Sequence, residues 1–359
     1  VPTFFDHSIE GSCSEQEFRN LPGAEYYSSR VLGATNPGDL VQLHPDLRDE
    51  FSAISGHYDR SGLSHATDVV WERGLDGVRR YANHAWNVYY FSHLHNQVRE
   101  DTAWCLVAEE MNSKNRFVKS CWANNIPVPS TKNFQSVRAA DFRREELEFP
   151  AFLKLEVSAS GEGVWPVNSR QELLERLVKV PRNCSFQIQQ AITATFLNVQ
   201  YTASDGVAYP IVVTEQILKG AAHSGNRYPT KWSPFPFCQP LAQLIAQKGM
   251  RGIFAFDVAV LADGSFRMIE CNPRWNGSSY PTRIAQKLGL DTWIAKTIHV
   301  GCRRIADLNL ELEYSATTKQ GIVLVKWGTI LEGEISFLVT APTHLECEEL
   351  ANRFQQMNS

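Results

Sequence analysis

Several things are scarce in this chain of 359 residues, and each scarcity removes a class of protein. No apolar stretch approaches the roughly 18 residues that a membrane-spanning helix needs. No signal-like apolar segment opens the chain, so neither a membrane anchor nor a secretory leader is expected. The first residue is Val, so a short segment is expected to have been removed or left out ahead of it. Long basic runs are missing and the net charge is −4, which argues against a nucleic-acid partner. The eight cysteines, at 13, 105, 121, 184, 238, 271, 302 and 347, form no C-x-x-C pair. Dispersed through apolar runs such as TAWCLVA, they read as small buried hydrophobes in a reducing compartment, not as a disulfide framework or zinc site. A cytoplasmic location is the expectation. Repeats and low-complexity tracts are also absent.

What is present is an ordinary globular composition, 43% hydrophobic and 21% charged, long enough for two or three domains or subdomains. The most informative stretch is Ile253 to Arg274, IFAFDVAVLADGSFRMIECNPR. Asp263-Gly264 between alternating apolar runs predicts a β-hairpin closed by a two-residue type I′ turn, which needs φ > 0 at both central residues. Counting outward from Ala262 opposite Ser265 pairs Asp257 with Glu270. Residues so opposed have Cβ atoms roughly 5 Å apart, where like charges repel. Asn272 falls on the same face, and the three together suit a hard cation. Phe254, Phe256, Val258 and Val260 fill the other face of the first strand; Met268 is expected beside Glu270, and Cys271 on the opposite side.

Elsewhere the apolar runs at Asp39–Leu43, Asp68–Trp71 and Trp104–Ala108 alternate with helix-compatible segments, which suggests a small α/β domain. His93 and His95 would share a strand face as structural histidines. Asn112-Ser113 caps a helix whose buried stripe is Phe117, Val118, Cys121 and Trp122. Lys154 ends a strand and precedes SASGEGV. A Gly/Ser-rich turn lets backbone N–H groups approach phosphate oxygens, with a nearby Lys as point charge. The turn is neither a Walker A nor a Rossmann loop, and by itself reads first as a surface loop. His223-Ser-Gly-Asn-Arg227 reads as a loop after the strand YPIVVTEQIL. Near the end, GIVLVKWGTI and GEISFLVTA are two strands, and a Thr343/Glu346 capping box opens a last helix.

Phosphate-loop candidate, antiparallel strands and acidic hairpin ending NPR, in that order over about 120 residues, resemble the ATP-grasp superfamily. The resemblance runs from roughly Asn112 to Val300. It implies an α+β / α/β fold in which two α+β subdomains clamp ATP after a small α/β N-terminal domain: residues 1–111, 112–185, 186–300, and a small α+β segment at 301–359. Asp257, Glu270 and Asn272 resemble the family's Mg²⁺ ligands, for two ions, with Mn²⁺ as an alternative. Lys154 resembles the lysine on the α- and β-phosphates, and Ser160, Gly161 and Gly163 the mobile phosphate loop. Lys114 is the better match, and Lys119 the second, for the lysine opening the preceding helix. Gln189, Gln190 and Ile192 occupy the adenine hinge, with Gln where the family often has Glu. Arg274 sits where the family places an arginine near the transferred phosphoryl group; its other reading is a structural partner for a hairpin acid. His223, Arg227 and Arg283 are candidates for the substrate side.

The activity implied is ADP-forming ligation: a substrate carboxylate is activated as an acyl phosphate and joined to an amine, both small molecules, with amino acids or short peptides of specialised metabolism as the expected class. The same resemblance is compatible with a homodimer. Two other readings stand beside it, a carboxylase-type enzyme on the same clamp and a nucleotide-binding regulatory or scaffold protein with a decayed site.

Overall fold

The structure, a computed structural model, describes residues 2–9, 23–137, 146–157, 163–220 and 222–359. Three sheets organise them. The first holds β1 (Thr3–Asp6), β2 (Leu40–Leu43), β3 (Asp68–Trp71) and β4 (Ala85–Val88), all parallel, in the order β3-β2-β1-β4. Parallel strands need crossovers, supplied in part by helices α1 (Phe51–Arg60) and α2 (Asp76–Arg80). Helices α3 (His93–Val98) and α4 (Thr102–Asn112) then lead away from this domain.

Two expectations change here. The Trp104–Ala108 run is helical: Asp101 accepts a hydrogen bond from the Trp104 N–H at 3.2 Å as an N-cap, and Trp104, Val107, Ala108 and Met111 recur at helical spacing. His93 and His95 are helical as well, behind a Ser92 capping box. They consequently point apart: His95 is fully buried, whereas the His93 side chain is 67% exposed.

The second sheet is antiparallel: β5 (Thr131–Phe134), β6 (Ala151–Leu155), β7 (Val164–Val167) and β8 (Phe186–Gln190), ordered β5-β8-β6-β7. Helices α5 (Lys114–Ala123) and α6 (Arg170–Leu177) accompany it. The Ser113 hydroxyl caps α5 through the Arg116 N–H, as its sequence implies. Phe117, Val118 and Cys121 are fully buried, but Trp122 is exposed. At 100° per residue it lies about a quarter turn from the centre of that stripe.

The third sheet has eight antiparallel strands: β9 (Thr195–Ser204), β10 (Val207–Lys219), β11 (Ala222–Tyr228), β12 (Gly252–Val260), β13 (Phe266–Asn272), β14 (Trp293–His299), β15 (Gly321–Lys326) and β16 (Glu334–Thr340). Their order is β13-β12-β9-β10-β11-β14-β16-β15, so the two C-terminal strands extend this sheet. Helices α7 (Phe235–Gln247), α8 (Ser279–Leu288) and α9 (His344–Asn358) pack on it. HSGNR is strand rather than loop. It pairs with both β10 and β14, and a side chain at Gly225 would meet the Ala295 carbonyl oxygen at 2.0 Å, so only glycine permits the β14 pairing.

The N-terminal domain and the C-terminal strands share one core, in which Val31, Ile54 and Tyr58 join Ile322, Leu324 and Phe337. A polar clasp fixes their contact. His57 Nε2 accepts the Leu324 N–H at 3.0 Å, which leaves Nδ1 to donate to Glu313 Oε1 at 2.5 Å. Arg60 donates to both Glu313 oxygens at 2.8 Å. Burial pushes the Glu313 carboxyl up, but these donors outweigh it and hold it at about 2. A depressed carboxylate stabilises the fold above its ordinary value of 4.5 and loses that contribution as pH falls toward 2. Glu313→Gln is therefore expected to lower the melting temperature by a few degrees at neutral pH. The gap from the parent should close as melts are repeated from pH 4.5 down to 2; a gap independent of pH would contradict the clasp.

Candidate active site

The hairpin puts Asp257 opposite Glu270, as counted, but by a different route. The Leu261 N–H bonds to the Ser265 carbonyl and Val260 faces Phe266, so the loop spans three residues, Ala262 to Gly264, with Gly264 at φ 82°. That is the three-residue hairpin closed by a left-handed residue, not the two-residue turn. It shifts the register by one, and a bulge at Ile269 shifts it back. The bulge also sends Met268 to the apolar face opposite Val258, not beside Glu270. Cys271 lies on that apolar face, as alternation implied.

The two carboxyls hydrogen-bond to each other, and their environments separate them. Burial, with Glu270 close by, raises the Asp257 carboxyl far above its usual range, against the hydrogen bonds of Asn198 and Asn272. Burial raises Glu270 too, but Lys114, Lys154 and Arg274 pull harder and lower it overall. Of the two, Asp257 therefore keeps a proton more readily than Glu270. Three amides approach that residue: Asn198 Nδ2 at 2.8 Å, Gln216 Nε2 at 2.7 Å and Asn272 Nδ2 at 3.2 Å.

Two lysines reach the pair from the neighbouring subdomain. Lys114 opens α5, is 7% exposed, and holds its Nζ 3.4 Å from Glu270 Oε2. Lys119 lies on the exposed side of the same helix. Lys154 is as buried as Lys114 and donates to Gln189 Oε1 at 2.6 Å; Gln189 Nε2 in turn donates to Thr131 at 3.0 Å. Burial lowers the Lys154 amine to about 8, helped by Lys114 and opposed by Glu270 and Asp257. Gln189 thus faces Lys154 instead of projecting at the β8–β9 connection, where Gln190 and Ile192 are half-buried. Gly163, at φ 74°, closes the turn into β7 by accepting the Leu155 N–H. Ser160 and Gly161 lie outside the described residues.

Beside the acid pair a cleft of about 990 Å³ opens between the N-terminal domain and the third sheet. Tyr89, Trp86 and Trp104 form one wall, and Gln200, Thr202 and Arg283 stand on the other. Arg274 belongs to both regions: it lines the cleft and lowers the Glu270 carboxyl. Tyr89 Oη accepts from its Nε at 3.0 Å and Asn112 Oδ1 from its Nη1 at 2.5 Å, so residues leading from the N-terminal domain aim it. The other two substrate candidates lie apart. Arg227 is paired with Glu215 across the β10–β11 ladder. His223 packs against Gly277 and bonds Asn226 at 2.7 Å, at the end of a polar chain that runs through Thr214 and Ser278 to Gln200.

Asn198, Gln216, Tyr89 and Asn112 escaped the sequence reading. Part of the signal was there: Asn198, Gln200, Thr202 and Ser204 alternate with Leu197, Val199, Tyr201 and Ala203, which marks a polar face opposite an apolar one. No periodicity connects Tyr89 or Asn112 to Arg274.

No family model matches the sequence, and no curated protein matches it. Solved structures do. An N5-carboxyaminoimidazole synthetase from Staphylococcus aureus, complexed with ADP, superposes with a TM-score of 0.62 at 10% identity, over 98% of this chain and 96% of that one. A carboxyaminoimidazole ribonucleotide synthase from Aspergillus clavatus, complexed with ATP, gives 0.57 at 14% over 91% and 100%. An L-amino acid ligase from Bacillus licheniformis gives 0.56 at 13% over 99% and 96%. The chain has the ATP-grasp fold these structures share, along nearly its whole length.

Asn198 donates to the half-buried Asp257 carboxyl, a hydrogen bond worth about 0.5–1.5 kcal/mol. Asn198→Ala is expected to lose stability in that range by urea unfolding and to move the Asp257 carboxyl further up. Unchanged stability would mean that Asn198 does not hold Asp257.

Proposed function

We propose that the chain is an ADP-forming, ATP-dependent ligase that activates a substrate carboxylate and joins it to the amine of an amino acid or short peptide. One observation carries this reading: a carboxyl pair flanked by two buried lysines, with a substrate-sized cleft adjoining it through a single arginine. The opposed carboxyls of Asp257 and Glu270, one up-shifted and one ringed by cations, fit a hard divalent cation in place of their shared proton. With Asn272 they would hold Mg²⁺. The chemistry it would supply there is positive charge against the phosphates' repulsion of an incoming carboxylate.

The chain's own residues supply the rest. Lys154, braced by Gln189, and Lys114, beside Glu270, present positive charge to the phosphates in a site from which water is largely excluded. Arg274, held by Tyr89 and Asn112, is aimed at the boundary where carboxylate and γ-phosphoryl group meet. The carboxylate oxygen attacks the γ-phosphorus, ADP leaves, and an acyl phosphate forms. An amine from the cleft adds to the acyl carbon, and phosphate departs from the tetrahedral adduct to leave an amide. Walls of Trp86, Tyr89 and Trp104 shield the acyl phosphate from hydrolysis.

The test is ADP release over single and paired amino acids, with mass spectrometry of any amide. Asp257→Asn and Glu270→Gln should abolish turnover while melting cooperatively, and near-normal turnover in either would sink the metal assignment. A second substitution series separates the lysines. Lys114→Ala should weaken the stabilisation given by Mg-ADP at least tenfold in apparent affinity, and Lys119→Ala should leave it unchanged. A dependence on bicarbonate with one amine would favour the carboxylase reading. Stabilisation by nucleotide with no ADP release would favour a regulatory protein.

A further inference from the structure

Away from the cleft, α3 and α4 bring three donor side chains together. His93 opens α3, and Cys105 and Glu109 lie four residues apart on one face of α4. Their donor atoms all lie within 4.8 Å of one another. Cys105 Sγ is 3.4 Å from His93 Nδ1, and His93 Nε2 is 2.5 Å from Glu109 Oε1. Cys105 is 1% exposed and packs against Val88 and Phe91, whereas the His93 side chain is 67% exposed. The imidazole thus covers the thiol on its solvent side.

We propose that Cys105, His93 and Glu109 bind one transition-metal ion of the zinc class, with water completing its coordination. Zinc–sulfur and zinc–nitrogen bonds of about 2.3 and 2.0–2.1 Å, meeting at the tetrahedral angle, separate the two donor atoms by about 3.5 Å. The observed 3.4 Å suits an ion on Nδ1, and Glu109, which now meets Nε2, turns its carboxylate to the sulfur side of the ring to join it. Glu109 supplies the third donor from the same helix as the thiol, so two of the three are pre-set by one turn of backbone. On binding, the thiol gives its proton to solvent and the thiolate takes the metal. A sulfur, nitrogen and oxygen set selects zinc, cobalt or nickel over magnesium, which prefers oxygen ligands alone. The site therefore differs in kind from the acid pair at Asp257 and Glu270.

Its position gives it a consequence. The segment joining α3 to α4, Arg99 to Asp101, lines the cleft. An ion tying His93 to Cys105 would hold that wall in place from behind, without touching substrate. His93-x11-Cys105-x3-Glu109 has none of the regular spacing of known zinc motifs, because packing of α3 on α4, rather than local sequence, brings the donors together.

Cobalt(II) is the probe, added to the full chain without magnesium or nucleotide. One equivalent should produce a near-ultraviolet thiolate-to-cobalt charge-transfer band that a chelator removes. Cys105→Ser should abolish the band, and Glu109→Gln should weaken cobalt binding about tenfold or more. His93→Ala, at an exposed position, should weaken it likewise and serves if the serine variant fails to fold. No band in the parent chain, or a band of equal intensity and affinity in Cys105→Ser or His93→Ala, overturns the proposal. Stabilisation by Mg-ADP should persist in all three variants, so the outcome is independent of the ligase reading.

Discussion

Two carboxyl groups facing each other across adjacent strands repel, and much of this structure is arranged around making that tolerable. Asp257 and Glu270 cannot both ionise in a half-buried site without nearby positive charge or donors. Asn198 comes from β9, Gln216 from β10, Asn272 from β13, Lys114 from α5, and Lys154 from the second sheet. Each is delivered by a different element, so the pair's electrostatics depend on the whole assembly of sheets. Under the proposed function the same requirement would favour a divalent ion, which relieves the repulsion more fully than a shared proton.

The N-terminal domain matters to this arrangement although it contributes no residue to the acid pair. Through Tyr89, which follows β4, and Asn112, the last residue of α4, the N-terminal part of the chain orients Arg274, and its aromatic side chains form one wall of the cleft. Its attachment is two-sided. Apolar residues of the domain merge with those of β15 and β16, and the His57–Glu313–Arg60 clasp fixes the orientation that a nonspecific core would leave loose. A cleft built between two such units keeps its shape only if their attachment is rigid.

Much of the candidate site was legible because it lies on short-period local patterns. The opposition of Asp257 and Glu270 emerged from counting along a hairpin, although a three-residue loop and a bulge each broke the count and cancelled. Met268 shows the limit of that success: the bulge that restored the pairing moved its side chain to the other face. Trp104–Ala108 and His93–His95 were read as strand because short apolar runs are ambiguous, and the capping residues Asp101 and Ser92 decide in favour of helix. The HSGNR segment carries polar, glycine-containing sequence that resembles a loop, yet pairing on both sides makes it a strand.

The sequence by itself determined the order of the parts: a lysine-ended strand, a glycine-rich turn, alternating strands, and an acidic hairpin ending NPR. These features depend on residues within a few positions of one another, where backbone geometry sets the side-chain direction. Tertiary structure alone decided that Lys114 reaches Glu270, that Gln189 braces Lys154, that Tyr89 and Asn112 aim Arg274, and that His93 meets Cys105. Those contacts join residues separated in most cases by tens to hundreds of positions, and their distances follow from how sheets and helices pack, which no local pattern encodes.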